Sequence, residues 1–426
     1  MQLHSSLSEG GARWTFQSTS PTHTLRCDSY SLVATLSSAS EVEQQWTDPL
    51  AALQWMASHP GKSSGSRWVG YLSYDLGRLF EPIPVIAQDD LHLPLFYFSL
   101  FDSDLIGAPV VTPTAGPCRC DAKMRPRHPS ESPAYAGVRC GENGSGDRTV
   151  MHSRYSSPSP SPESTLPKTE YLDRVTRAIE YIRAGDVFQV NLAQRFKTPL
   201  TISPRQTWQN LLHNTPATYG AFLDCGDHCL ISNSPELFLH VTPNRKIITR
   251  PVKGTRARKP GMNDELRHSP KDQAELNMIV DLERNDLGRI CEIGSVRVTQ
   301  PRTIETHPTV YHGVATIEGQ LKVDVTFIDL LRATFPGGSI TGAPKIRAMQ
   351  IIEELEPMRR GPYCGAIGYL AADGSLQFNI AIRTIIVKDD FAYIPVGGGI
   401  VADSDPATEY EETMTKAAAM FGALNL

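Results

Sequence analysis

Residues 365–401, GAIGYLAADGSLQFNIAIRTIIVKDDFAYIPVGGGIV, hold the pattern that decides the fold class. Asp373-Gly374 and Asp389-Asp390 are turn signals that divide this stretch into three apolar, β-branched runs, which reads as an antiparallel meander. Side chains alternate across a strand. In the middle run Phe378, Ile380, Ile382, Thr384 and Ile386 therefore share one face, and Asn379, Ala381 and Arg383 the other. The third run ends in Gly397-Gly398-Gly399. Glycines weaken a strand unless something approaches its backbone closely, so a closely approached strand and a plain turn both fit. Hairpins of this kind outnumber strand–helix–strand alternation along the chain. That predicts an α+β fold, an antiparallel β-sandwich with flanking helices.

Helix signals surround the meander. Tyr171, Val175, Ala178, Ile179 and Ile182 recur at helical spacing and stop at Gly185. Ser269-Pro270-Lys271-Asp272 is a helix start with Ser as N-cap and Pro at the first helical position, and Asp405-Pro406 repeats the device. Residues 1–111 read as a β-rich N-terminal subdomain with one short helix over Pro49–Met56. Residues 112–167 are rich in Pro, Gly, Ser and Arg, and read as a low-complexity linker or insertion. Residues 168–426 read as the remaining domain, where order resumes.

Of 426 residues, 20% are charged and 40% hydrophobic, with a net charge of −5. That balance argues against a chain built to coat nucleic acid. No apolar run approaches the roughly 18–20 residues that cross a bilayer, and the N-terminus lacks a signal-peptide pattern. A cytoplasmic location with no membrane partner is the expectation. The eight cysteines show no paired zinc-site spacing, so free thiols are expected.

Lys253 lies at the end of a strand in KIITRPVKGTRARKPG, crowded by Arg250, Arg256, Arg258 and Lys259. Taken alone, this is a solvated basic loop. Gly337–Lys345, GGSITGAPK, lacks the ending of a phosphate loop and reads as a glycine-rich lead-in to a helix N-terminus, suited to a carboxylate. Glu275, Glu409 and Glu412 fall early in two capped helices, where carboxylates from both would suit Mg²⁺. Ordinary helix-end charge placement explains each one equally well, and Glu412 and Lys416 are a plain i,i+4 pair. No nucleophile elbow accompanies His312, and no Gly-x-Cys-x-Gly glutaminase motif is present.

Taken together, FQVNLAQRF, SPELF, RPVKGT, AELNMIVDLERNDLGR, FPGGSITGAPKIRAM, YCGAIGYL, IAIRTI and GGGIVADSDPATEYEET resemble the chorismate-utilising enzymes, over residues 168–426 and in the family's order. GYLSYDLGR in the N-terminal part also fits. Within the family, anthranilate-forming members carry alanine where this chain has Lys253, and isochorismate- and salicylate-forming members carry a lysine base where it has Gln189. Lysine at the first position and glutamine at the second resemble the branch that aminates chorismate at C4.

The resemblance implies chorismate and ammonia as substrates, Mg²⁺ as cofactor and a separate glutamine amidotransferase subunit as partner. It implies Lys253 as nucleophile, Glu236 as general acid, and His312 and Ser339 beside the reacting ring. Glu275, Glu412 and the nearby Glu409 become metal ligands. Gly254, Thr255, Tyr363, Arg383, Gly397, Gly398, Gly399 and Lys416 become the substrate-binding surface. A nucleophilic lysine must be unprotonated, and burial or the neighbouring Arg250 and Arg256 are expected to favour that form. One departure from the family is Gly313-Val-Ala after the histidine, where relatives often have Leu-Val-Ser. Formation of anthranilate, or a non-catalytic regulatory protein that binds chorismate or tryptophan, are the competing expectations.

Overall fold

The middle run of the meander is two strands in two different sheets. In the computed structural model, which describes residues 1–4, 16–39, 41–102 and 161–426, Leu376–Ile380 pairs with Ala366–Ala371 and Leu237–Val241. Thr384–Lys388 pairs instead with Phe391–Ile400 and His228–Ser234. The chain changes sheets at Ala381-Ile382-Arg383, where Arg383 adopts φ +51°. A non-glycine residue is held at positive φ by its surroundings; here the Arg383 carbonyl accepts from Asn233 N at 3.0 Å. Strand alternation stops at this break, which corrects the shared face expected for Asn379 and Arg383. The Asn379 amide is buried among backbone groups, donating to Tyr219 O at 2.9 Å and accepting from Ile367 N at 3.0 Å. The two turns lie where the sequence puts them, with Gly374, Asp389 and Asp390 all at positive φ.

Among the described residues the strands form a nine-stranded and a twelve-stranded sheet, and every ladder is antiparallel. The sheets face each other across one core. Val69, Tyr71, Tyr97, Phe101 and Ile367 come from the larger sheet, and Leu3, Ala221, Leu223, Leu230 and Ile386 from the smaller. Helices cover the outer faces. Pro49–Ser58, Pro270–Gly288 and Phe327–Thr334 pack on the larger sheet. Pro204–Asn214 and Pro406–Ala423 pack on the smaller, and Lys168–Arg183 and Lys345–Leu355 cover its Val190, Leu192 and Ile400. This is the α+β sandwich with flanking helices that the hairpin pattern predicts.

The β-rich N-terminal residues share these sheets with the rest of the chain. Arg67–Leu72 pairs along its length with Ala366–Ala371, and Gln2–His4 pairs with Tyr219–Asp224. Of the expected linker, residues 112–160 lie outside the described residues; Glu163–Ser164 pairs with Gln189–Pro199. The described cysteines, Cys27, Cys225, Cys229, Cys291 and Cys364, are free and buried, while Cys118, Cys120 and Cys140 lie outside the described residues. Among the described residues no helix is long and apolar enough to cross a membrane.

Candidate active site

Lys253 sits in a β-bulge. Val252–Ala257 pairs with Val310–Gln320, but the register slips between Val252 and Thr255, so Lys253 and Gly254 occupy the irregular step. A bulge re-aims a side chain that a regular strand would send elsewhere. Gly254 has φ +82°, and a Cβ there would lie 2.6 Å from Leu266 Cδ1. On the paired strand a Cβ at Gly313 would lie 2.6 Å from the Lys253 carbonyl. The departure noted at position 313 thus lets the backbone pass behind the lysine.

The half-buried Lys253 reaches the Ser339 carbonyl at 3.4 Å. Desolvation pushes its amine below the ordinary lysine value, opposed by the Glu275 and Glu236 carboxylates and reinforced by Lys416. Of the two expected causes burial is the one that acts, and the arginines are engaged elsewhere. Arg250 is paired with Glu305 and donates to Thr316 Oγ1 at 3.3 Å. Arg256 is held by Glu265 and Asp272 at 2.8 and 2.9 Å. Burial acts as expected, and Lys416 takes the part the arginines were expected to share.

Glu236 is buried where the chain passes from one sheet to the other, its N–H donating to Ser234 Oγ at 3.3 Å and its carbonyl accepting from Ile380 N at 3.1 Å. Burial raises its carboxyl above the usual range, while the Ser339 hydroxyl, Lys253 and the Val252 N–H pull it back. An amine biased toward neutrality and a carboxyl biased toward its proton therefore share one site, both beside Ser339. That arrangement suits a nucleophile with a general acid.

The acidic residues come from two helices held by the expected caps, Ser269 Oγ accepting from Asp272 N at 3.3 Å and Asp405 Oδ1 from Thr408 N at 2.9 Å. Glu275 is raised by burial and lowered by Lys253 and Lys271. Glu412 stands at the rim; burial acts to raise it, but Lys416, 2.6 Å away, brings it below its ordinary value. Glu409 is buried, accepts from Ser404 Oγ at 2.6 Å and is raised by burial. Gly398 passes beneath them. A Cβ there would lie 3.4 Å from Glu409 Oε2, 3.6 Å from Lys416 Nζ and 3.7 Å from Glu412 Oε1.

Gly397–Gly399 form no turn. They run mid-strand opposite Ala193, Leu192 and Asn191, and Lys416 Nζ donates to Gly397 O at 2.9 Å. A Cβ at 399 would lie 2.8 Å from Gln189 Nε2. Close approach explains the glycines. Gln189 is fully buried and its amide makes no hydrogen bond among the described residues.

On the other side of the site, Arg383 forms no ion pair among the described residues; burial lowers it, and Tyr363 and Glu412 are the groups that raise it. An unpaired, largely desolvated guanidinium is a receptor for an anion. His312 Nδ1 lies 2.9 Å from the exposed Thr255 Oγ1, and burial pushes its imidazole down to about 3. It is neutral at physiological pH, so it can hydrogen-bond a substrate but cannot present a cation. Tyr363 is buried beside Arg360 and Arg383.

All the residues expected at the site thus converge from distant segments. Asn191, Glu283, Glu356 and Arg360 were missed. Alternation along FQVNLAQ puts Asn191 on the face of Gln189, a signal open to reading; the other three contribute through partners far away in sequence.

A half-buried amine beside a buried acid, three carboxylates and a guanidinium with no ion pair among the described residues make a site suited to a small anionic substrate. The chorismate binding enzyme family matches residues 9–422, and the chain belongs to that family. It is 39% identical to anthranilate synthase component 1 of Thermus thermophilus over 370 residues, 84% of this chain and 77% of that protein. It is also 39% identical to aminodeoxychorismate synthase component 1 of Bacillus subtilis over 378 residues, again 84% and 77%. The crystal structure of anthranilate synthase component I from Streptococcus pneumoniae superposes with a TM-score of 0.74 at 31% identity, covering 94% of this chain and 90% of that one. The chain is a chorismate-utilising enzyme.

Proposed function

We propose that this enzyme aminates chorismate at C4 to give 4-amino-4-deoxychorismate, on the path to p-aminobenzoate and folate in the cytoplasm. Ammonia would come from a separate glutamine amidotransferase subunit. The observation that carries the reading is Lys253, in contact with the Ser339 carbonyl and biased toward neutrality by burial, in the same site as the buried Glu236, whose carboxyl burial biases toward its proton.

The Lys253 amine adds to C2 of the ring, the ring double bonds shift, and the C4 hydroxyl departs as water with the proton of Glu236. Ammonia then forms the C–N bond at C4, the double bonds shift back, and the lysine leaves C2. The new C4 ammonium gives its extra proton to the Glu236 carboxylate, which restores the acid. Two displacements replace one difficult substitution. Arg383 binds a substrate carboxylate, and neutral His312 with Thr255 supplies hydrogen bonds beside it. Glu275 and Glu412, with Glu409, would hold Mg²⁺, which supplies positive charge for the ring carboxylate. The fit is chemical: these are oxygen donors, and no three metal-binding side chains close a cage among the described residues. Mg²⁺ takes one or two carboxylates and fills its shell with substrate and water.

Relatives named for anthranilate and for aminodeoxychorismate synthesis are equally similar, so the product is the test. Chorismate, Mg²⁺ and an ammonium salt are expected to yield aminodeoxychorismate, identified by mass and absorbance. Anthranilate or isochorismate as the main product overturns the proposal.

A further inference from the structure

The Ser339 carbonyl receives two donors. Lys253 Nζ approaches it at 3.4 Å, and Asn191 Nδ2 donates to it at 3.1 Å. Asn191 is itself fixed on both sides of its backbone: its N–H donates to Thr341 O at 2.8 Å, and its carbonyl accepts from Arg360 Nη2 at 3.0 Å. Arg360 Nη1 also donates to Ile340 O at 3.0 Å. Arg360 is clamped by Glu356 at 2.6 and 2.9 Å, and Glu356 in turn accepts from Ala193 N at 2.9 Å. Both charges are almost fully buried, with side-chain exposures of 3% and 5%. The strand Gln189–Pro199 and the Gly337–Thr341 loop are thereby stitched into one rigid unit, with the Ser339 carbonyl at its tip. The Asn191 side chain also needs the glycine across the ladder, since a Cβ at 399 would lie 3.3 Å from its Oδ1.

A neutral amine has two N–H bonds and one lone pair. Fixing one N–H on an immobile acceptor restricts where the lone pair points, and reactions between aligned groups gain most from such restriction. We propose that Asn191 is a positioning residue: by pinning the Ser339 carbonyl, it fixes one N–H of Lys253 and aims the amine lone pair at the substrate carbon. The inference rests on the reading of Lys253 as nucleophile. Asn191 touches no reacting atom, and the buried Glu356–Arg360 pair braces it.

The test uses the full-length protein with Asn191→Leu, which removes the donor at similar size, and Asn191→Asp, which replaces it with an anionic acceptor. Asn191→Leu is expected to lower kcat about 10- to 100-fold while the KM for chorismate stays within about threefold, because alignment and not binding is lost. A kcat within twofold of wild type overturns the proposal, as does a loss expressed wholly in KM. A second readout needs no turnover. The pH dependence of Lys253 acetylation by acetic anhydride, followed by peptide mass spectrometry, reports the amine directly. Asn191→Asp is expected to raise its midpoint by about one pH unit, because a carboxylate beside the amine favours the charged form; an unchanged midpoint overturns the proposal. Should either variant fail to melt cooperatively, Asn191→Ala also removes the donor and is read the same way, a wild-type kcat again being fatal. If Lys253→Ala retains full turnover, the nucleophile reading falls, and the acetylation readout still reports separately whether Asn191 and Lys253 are coupled.

Discussion

Lys253 and Glu236 have environments that push their protonation states in opposite directions, and each role can be removed alone. Glu236→Gln keeps the shape of the side chain but has no proton to give, so kcat should fall by roughly 10²- to 10⁴-fold, read from initial rates at saturating chorismate. Lys253→Ala should abolish the covalent route; aminodeoxychorismate formed at the wild-type rate would refute it. His312 gives a pH signature of the fold. Its folded value of about 3 lies below the ordinary 6.5, so the unfolded chain binds the extra proton first, and stability is lost as pH falls from about 6.5 toward 3. The slope is at most ~1.4 kcal/mol per pH unit. His312→Gln should flatten that part of the denaturant-derived stability curve, and an unchanged slope would show that the histidine is not buried neutral. Residue types and spacing alone left Lys253 in a basic loop and the carboxylates as helix-end charges; the resemblance of whole motifs to the chorismate-utilising enzymes is what singled out Lys253, Glu236, His312 and the three glutamates. Which charges act on Lys253 was not legible, because Arg250 and Arg256 are neighbours in sequence whereas Glu275 and Lys416 are neighbours only in space.

The helix Pro270–Gly288 shows which features of an element are local. Its cap, its proline start and its buried Leu276, Ile279, Val280 and Leu287 all follow from a few adjacent residues, and the sequence states them directly. Ser269→Ala should cost about 1 kcal/mol and, since Glu275 lies a turn and a half from that cap, should also weaken Mg²⁺-dependent activation in a metal titration. Glu283 lies two turns beyond Glu275 and was hidden, because its surroundings belong to other elements. It accepts from Thr249 Oγ1 at 3.0 Å, and burial, Glu236 and Asp286 raise it to about 8, with Lys345 opposing. A carboxyl raised in the folded state stabilises fully below about 4.5, and that contribution is lost as pH rises toward 8. Glu283→Gln should therefore melt higher than wild type at pH 8 and show little difference at pH 4.5; equal melting temperatures at both would contradict a buried protonated acid. The sheet change at residues 381–383 escaped the sequence for a related reason. Alternation is satisfied by one long strand or by two short ones, and only distant partners such as His228–Ser234 decide between them.

At the scale of the molecule, the N-terminal residues supply structure that the site-bearing part lacks. Arg67–Leu72 hydrogen-bonds Ala366–Ala371, and Phe98 meets Phe378 edge-on with ring centroids 6.2 Å apart. Trp68, Tyr71, Phe96, Phe98 and Phe101 are all essentially fully buried. At roughly 1.5–3 kcal/mol for each large buried side chain, these five alone approach the ~5–15 kcal/mol that holds a typical domain folded. Composition marks the boundaries at 112 and 167, but a composition change cannot show that strands on either side of it pair. A chain of residues 168–426 would keep every proposed catalytic residue and lose the neighbour of its own Ala366–Ala371 strand, exposing a long apolar sheet edge. It should give no cooperative thermal transition and no turnover. Co-expression with residues 1–111 should restore both, since the ladder and the aromatic contacts can form between two chains as they do within one. Cooperative melting of 168–426 by itself would show instead that the shared sheets are docked and not interdependent.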